Sequence, residues 1–372
     1  KLNDYPPLPD NIIIKNNELS KFSANLKKQF DDKMHENKTA KLVNNLYKKE
    51  KYVLHYEMLK YCVGLGLEVT KIHRAIRFKQ SCWMKPYISM NTQLRSQAKN
   101  DFEKDFFKLM NNSVFGKSME NVRNRQRIDI VHSDHLQKAI NKPIYNSYKS
   151  INEHNHIVHY RKTFVKLNKP IYTGFAILEY SKLDMLKFHY DTMYKNYGNN
   201  MKLLFTDTDS LCYQVKTDDL YEDIEQMKDQ FDLSNYGDDH FLKDNTNKKQ
   251  LFKMKDELGG NIMTEFIGLR AKMYSFTTHE FLPKLKKIRA KGVKSVCIEG
   301  EDRNQQNEDG SKITELVRHE TFKEALINNK TMNVTYTSIQ SSVHNISTKT
   351  QTKKGISSFD DKRYVLDDGR SE

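Results

Sequence analysis

Two aspartates one residue apart, Asp207 and Asp209, follow the apolar half-strand Leu203-Leu204-Phe205 and are flanked by Thr206, Thr208 and Ser210. Carboxylates at i and i+2 can share a hard divalent cation when a turn aims both to one side. Magnesium takes such oxygens while keeping waters and substrate phosphates. Taken alone, a plain Asp-rich β-turn is the commoner meaning of such a pair. A second constellation, Lys104, Lys108, Asn112 and Phe115, has spacings of four, four and three, which place it on one helical face. Two ammonium groups one turn apart repel unless an anion sits beside them, and a triphosphate is such an anion. The aromatic beyond Asn112 can stack on a base or press against a sugar. A solvated cationic face whose aromatic turns into the core is an equal reading. Third, Arg270, Lys272 and Tyr274 alternate along one face of an expected strand. Cations and an orienting hydroxyl suit backbone phosphates, and an exposed basic strand has the same pattern.

Two weaker signals accompany these. The run Lys284, Lys286, Lys287, Arg289, Lys291 and Lys294 holds six cations in eleven residues with no acid, which suits nucleic acid or a solvated face. His154, His156 and His159 have a spacing that can hold a transition metal. No Cys or acidic ligand completes the set, which favours incidental histidines in a polar loop.

Positioning these side chains requires particular elements. Met201 to Val215 reads as strand, tight turn, strand, which would present Asp207 and Asp209 at a hairpin tip. Residues 101–115 carry the clearest helical period, with Phe102, Phe106, Leu109, Met110 and Ser113 as the expected apolar stripe and Gly116 as its end. Thr264 to Phe276 reads as one strand. Around these, Lys1 to Lys49 reads as loop and then a short charged helix, Tyr52–His55 as a strand and 56–64 as a helix. Leu67–Phe78 reads as an alternating strand, followed by a turn at Trp83, Pro86 and Tyr87 into a helix from about Asn91. Val122–Lys169 is polar and His-rich without sustained period, an expected insertion or loop-rich subdomain. Tyr172–Tyr194 is an expected long helix, 218–239 an acidic helix, and Glu299–Gly310 a surface loop.

Length and composition bound the rest. At 372 residues the chain calls for two or three domains, and 20 Tyr and 19 Phe spread along it argue against wide disorder. A formal charge of +14 favours a polyanionic partner such as nucleic acid over an acidic protein or a neutral metabolite. No run of 18 apolar residues or charged-then-apolar leader is visible, so no membrane partner is expected. Four separated cysteines without a CxxC argue against a zinc knuckle or disulfide framework and favour a reducing, intracellular home. No internal repeat is found.

Taken in order, the motifs resemble those of family B DNA polymerases. The resemblance is strongest to the protein-primed branch of phages, adenoviruses, linear plasmids and Polinton-type mobile elements. Lys108-Leu109-Met110-Asn111-Asn112-Ser113-Val114-Phe115-Gly116 is similar to the KxxxNSxYG fingers motif. Phe205-Thr206-Asp207-Thr208-Asp209-Ser210 is similar to the YxDTDS palm motif, and Lys272-Met273-Tyr274 to KxY. Asn100–Asn121 and Lys255–Thr264 are also Polinton-like, so the likeness spans nearly the whole chain.

The resemblance implies an α+β right-hand polymerase fold fragment, with an antiparallel palm sheet, helical fingers and a small thumb. Its expected parts are an insertion or linker over 1–50, a palm segment over 51–85 and fingers over 86–122. An insertion over 123–168, catalytic palm over 169–285 and thumb over 286–372 follow. By the same resemblance Asp209 and Asp207 would be catalytic and hold two Mg2+ ions. Lys104, Lys108 and Arg95 would meet the dNTP phosphates, and Asn112 and Phe115 its sugar and base. Arg270, Lys272 and Tyr274, with Lys284, Lys286 and Lys287, would bind the DNA primer-template. A terminal protein primer and a nuclear, viral or plasmid replication compartment are implied partners and place.

Phe115 and Phe205 stand where the family usually has Tyr, which removes a hydroxyl and keeps the ring. The family's other metal-binding aspartate belongs to an upstream DxxSLYP motif, and nothing before Lys104 reads that way; Tyr5-Pro6-Pro7 lacks the aspartate and the serine. The expectation is a C-terminal portion that binds DNA and nucleotide yet extends primers poorly. The alternative is a non-catalytic DNA-binding remnant of a mobile-element or viral gene.

Overall fold

A computed structural model describes residues 2, 5–13, 40–248, 250–270, 272–279, 287–290, 317–342 and 345–358. These residues form a mixed α+β chain of helices and several small antiparallel sheets. Two compact units result: Lys1–Glu50 with Asp184–Thr337 and Thr350–Glu372, and Lys51–Leu183 with Ser338–Lys349. No helix among the described residues is long and apolar enough to cross a membrane.

The chain opens on β1 (Pro9–Ile13), paired antiparallel with β2 (Ala40–Asn44), where no strand is expected from sequence; residues 14–39, on which the expected charged helix largely falls, lie outside the described residues. Lys49 ties the pair by an ion pair to Asp10.

Lys51–Leu183 is mainly helical at first. α1 (Tyr56–Gly64) buries Met58 and Cys62, and the His55 ring caps it by accepting the Glu57 N–H at 3.3 Å. Tyr52–His55 and Leu67–Phe78 are not strands, and no described strand pairs with either. Alternating apolar residues satisfy one face of a pleat, but a strand also needs a neighbour for its backbone groups. Phe78 instead stacks on Tyr172 at 5.0 Å between ring centres.

α2 (Lys85–Gln97) starts earlier than Asn91, with Pro86 in its first turn where a missing N–H costs nothing. α3 (Asp101–Ser118) is capped by Asn100, whose side chain accepts the Glu103 N–H at 2.8 Å, while Glu103 accepts the Lys99 N–H at 3.0 Å.

Residues 126–161 are not loop-rich. β3 (Gln126–His132), α4 (Ser133–Ile140), β4 (Tyr145–Ser150) and β5 (Asn155–Arg161) form an antiparallel sheet in the order β3-β5-β4, with Ala139, Val158 and Tyr160 as its core. Only β5 buries every second residue over any length, and one of those is His156, so the strand period is faint in sequence. Helix α5 (Ile171–Lys187) then carries the chain onward.

Past Lys187 the helix widens into a π turn over Phe188–Met193 before a last α turn, Tyr194–Tyr197. β6 (Met201–Asp207) and β7 (Ser210–Val215) form the expected hairpin. The acidic stretch after it contains only a short helix, α6 (Leu220–Gln226), and a 3₁₀ turn at Lys228–Gln230. Irregular backbone there wraps a core of Ile224, Phe231, Leu233, Tyr236 and Leu242.

In place of one strand over Thr264–Phe276, β8 (Met263–Arg270) and β9 (Met273–Thr278) make a second hairpin, extended by β10 (Lys287–Ala290) to a sheet ordered β10-β9-β8. α7 (His319–Ile327) covers that sheet, burying Val317, Phe322 and Ala325 against Ile267, Met273, Ile288, Ala290 and Ile356. β11 (Met332–Ser342) and β12 (Asn345–Ile356) form the last hairpin.

Candidate active site

The β6–β7 hairpin links its strands through Thr208 and Asp209, with Asp207 facing Ser210 across the ladder. The Asp209 N–H donates to the Asp207 carbonyl at 2.7 Å, and the Ser210 hydroxyl donates to the same oxygen at 3.2 Å. Thr208 holds φ at 59°, a left-handed value that costs a β-branched residue energy. A register shift between Leu203 and Phe205 lies one pleat upstream, the kind of irregularity that re-aims side chains.

The β8–β9 hairpin is just as tight. Arg270 pairs with Met273, and Lys272 occupies the link with φ at 58°. The expectation that Arg270, Lys272 and Tyr274 alternate on one strand face is therefore overturned. Arg270 closes β8, Lys272 caps the turn, and Tyr274 belongs to β9, because the chain reverses between them.

The two hairpin tips meet. The Lys272 ammonium donates to both carboxylate oxygens of Asp207, at 2.6 and 2.7 Å. Beneath this contact Phe205 stacks on Tyr274 at 4.7 Å and on Phe266 at 5.4 Å, joining one hairpin to the other through aromatic faces. Partial burial pushes the Tyr274 hydroxyl above its ordinary range, and Arg289, its cross-strand partner on β10, opposes that shift by charge and hydrogen bond. Asp209 is exposed at the turn. Two carboxylates thus flank one turn, and that of Asp207 already receives the Lys272 ammonium. Among the described residues no three His, Cys, Asp or Glu side chains converge.

The second group of expected residues lies in the other unit. Lys104, Lys108, Asn112 and Phe115 are all exposed on α3, and Arg95 is exposed in the last turn of α2. Lys104 donates to Asp101 at 3.0 Å, whereas Lys108 has no ion-pair partner among the described residues. The packed side of α3 is offset from the expected stripe. Phe102, Phe106 and Leu109 are exposed, and the more covered positions are Phe107, Met110, Asn111, Val114 and Ser118. The reason is the neighbouring α2, from which Tyr87 donates to the Met110 carbonyl at 3.5 Å and Thr92 accepts from Asn111 at 3.3 Å.

Lys284 and Lys286 lie outside the described residues, and Lys287 is placed only by its backbone, paired with Phe276. The three histidines are not gathered at one point. His156 faces inward with its two ring nitrogens on Ser133 and Ser150, while His159 faces outward to Gln126.

Sequence reasoning singled out neither Arg289 within the basic run nor Phe266, and Glu120 escaped notice. Glu120 takes Arg125 at 2.8 and 2.7 Å, Lys169 at 2.9 Å and Lys117 at 3.1 Å, and Arg125 first, then Lys169 and Lys117, hold its carboxyl far below the usual range. It thereby ties together the two ends of the 126–161 excursion, a link between residues 49 positions apart that no local pattern announces.

A family model described as DNA polymerase type B, organellar and viral, matches residues 10–196, just over half of the 372 residues. That stretch contains Arg95, Lys104, Lys108, Asn112 and Phe115 and ends before Asp207. No curated protein and no solved structure matches the chain.

Proposed function

Because the chain belongs to the family of organellar and viral type B DNA polymerases, we propose that it carries the nucleotide-binding and carboxylate-bearing parts of a template-directed, protein-primed DNA polymerase. DNA primer-template and dNTP are its partners on this reading, and a Polinton-type or viral terminal protein is its primer. The right-hand assignment follows: fingers over 86–122, palm around the two hairpins, and thumb after 286. The observation that carries the proposal is the meeting of Asp207 and Lys272, 65 positions apart, on two hairpin tips where the resemblance expects the palm and KxY motifs.

The reaction joins a primer 3′-hydroxyl oxygen to the α-phosphorus of a dNTP, with the hydroxyl proton passing to solvent, breaks the bond from that phosphorus to the oxygen bridging to the β-phosphorus, and releases pyrophosphate. Asp207 and Asp209 would hold the Mg2+ ions, which supply charge stabilisation for the attacking and leaving oxygens. Lys108, exposed and without an ion-pair partner among the described residues, would take triphosphate charge together with Arg95 and Lys104. Asn112 and Phe115, on the same face, would border the sugar and base. Arg270, Lys272, Tyr274 and the run from Lys284 to Lys287 would follow the DNA backbone.

The 372 residues contain no DxxSLYP segment, so binding rather than extension tests the reading. Anisotropy of a labelled primer-template in saturating calcium should show salt-dependent binding. Lys272→Met should lower the slope of log K against log salt by about one. An unchanged slope and affinity would place the DNA elsewhere. DNA binding that persists with no measurable dNTP affinity would favour the non-catalytic remnant.

A further inference from the structure

Lys272 has two claims on one ammonium group. Both carboxylate oxygens of Asp207 receive its hydrogen bonds, at 2.6 and 2.7 Å. On the proposed function, to which this inference is bound, the same ammonium holds a DNA phosphate, and Asp207 holds a divalent cation. A compact ammonium at the end of a flexible four-carbon stem serves one anion well at a time.

The surroundings determine how the conflict is resolved. The Lys272 side chain is 47% exposed and that of Asp207 37%, so the pair is a solvent-facing contact that a stronger ligand can displace. The backbone under it is fixed. Lys272 sits at the hairpin link with φ 58°, and its neighbour Met273 is anchored in the core under α7. Phe205, Tyr274 and Phe266 hold the two hairpins together by ring stacking. The tips therefore need not separate; only the lysine stem needs to swing.

We propose that Lys272 is a charge-exchange element that makes divalent-cation binding and DNA binding cooperative. Without a cation, its ammonium neutralises Asp207 and is withheld from DNA. A cation on the carboxylates repels the ammonium and removes its acceptor, releasing it to a phosphate. Linkage requires the reverse as well: DNA that draws Lys272 away uncovers Asp207 and tightens the cation.

The test measures binding of a labelled primer-template at constant ionic strength, with and without calcium, for the full chain and two variants checked for folding by circular dichroism. For the unsubstituted chain, calcium should tighten DNA binding, on the order of 5-fold or more, the lower end of typical coupling between sites. Asp207→Asn should bind DNA tightly without calcium and ignore its addition, because Lys272 is already free. Lys272→Met should bind weakly in both conditions, with its salt slope lower by about one. Calorimetric titration of calcium into the chain should show tighter binding when DNA is present.

If calcium leaves the unsubstituted chain unchanged while Lys272→Met still weakens DNA binding, the exchange is refuted and the proposed function stands. If Asp207→Asn binds DNA without calcium no better than the unsubstituted chain, calcium merely bridges carboxylate to phosphate, and the exchange is again refuted. If Lys272→Met matches the unsubstituted chain in calcium, Lys272 is no DNA contact and both readings fall.

Discussion

Lys104 and Lys108 share a helical face and a charge, yet the structure separates their prospects. Lys104 already has Asp101 one turn below it, and Lys108 has no such neighbour among the described residues. An anion arriving at that face therefore gains more from Lys108. Charge-assisted contacts contribute about 1.5–3 kcal/mol, so Lys108→Ala should weaken dNTP binding by roughly ten-fold or more. Lys104→Ala should cost less, because Asp101 already neutralises part of the Lys104 charge. Competition against a fluorescent dNTP measures both; equal losses would mean that Asp101 does not hold Lys104 in solution. Thr208 and Lys272 are the complementary case, where strain rather than charge is informative. Each is a non-glycine residue with φ near 60°, and each sits at a hairpin tip that reaches the other. Strained backbone of this kind persists only when its surroundings dictate it. Here the paired strands and the aromatic stack do so.

At the level of elements, Glu120 controls the 126–161 sheet. It lies before the excursion and binds Arg125 at its entrance and Lys169 beyond its end. Replacing it by Gln leaves three cations facing one another without their counter-charge. Amide exchange over β3, β4 and β5 should then accelerate, with the β8–β9 hairpin unaffected as an internal control. The pH dependence has a definite sign. Because the folded carboxyl is held below its ordinary value, its contribution is complete above the unfolded pKa of about 4.3 and is lost as pH falls through the lower folded value. Exchange protection of the sheet should therefore survive mild acid in the unsubstituted chain. Protection identical in Glu120→Gln would show that the sheet's own core suffices, and protection already missing at neutral pH would show that the clamp does not stabilise the sheet. Ala139, Val158 and Tyr160 are few enough for the clamp to matter.

The whole molecule carries a formal charge of +14, and its cations occupy both compact units. Charge of this kind makes DNA affinity fall steeply with salt through counterion release. For six or more phosphate contacts, affinity should drop by about 10³-fold or more between 50 and 200 mM salt. A short duplex titrated at several salt concentrations gives the slope directly. A slope near one would confine the contact to a single cation such as Lys272, and the fingers face and the basic run would then lie away from DNA.

The hairpin at Met201–Val215, the helix through Lys108 and the family likeness were all legible in sequence, because each depends on short-range pattern. A two-residue turn, a 3.6-residue period and ordered motifs need no knowledge of neighbours. Other features depended on partners that the sequence does not name. Leu67–Phe78 alternates like a strand but has no described strand beside it. The apolar stripe of α3 turned toward α2 by about one position, leaving Phe102 and Phe106 exposed. The loop-rich insertion became a sheet because His156 serves as an inward-facing residue once Ser133 and Ser150 satisfy its ring. Arg270, Lys272 and Tyr274 moved from one strand to a turn and two strands because a hairpin link at Lys272 looks like continued alternation in sequence. The residue types fixed which side chains can bind metal, phosphate or base. Only tertiary structure brought Lys272 onto Asp207, because a contact spanning 65 positions is made by packing two hairpins together and by no periodicity along the chain.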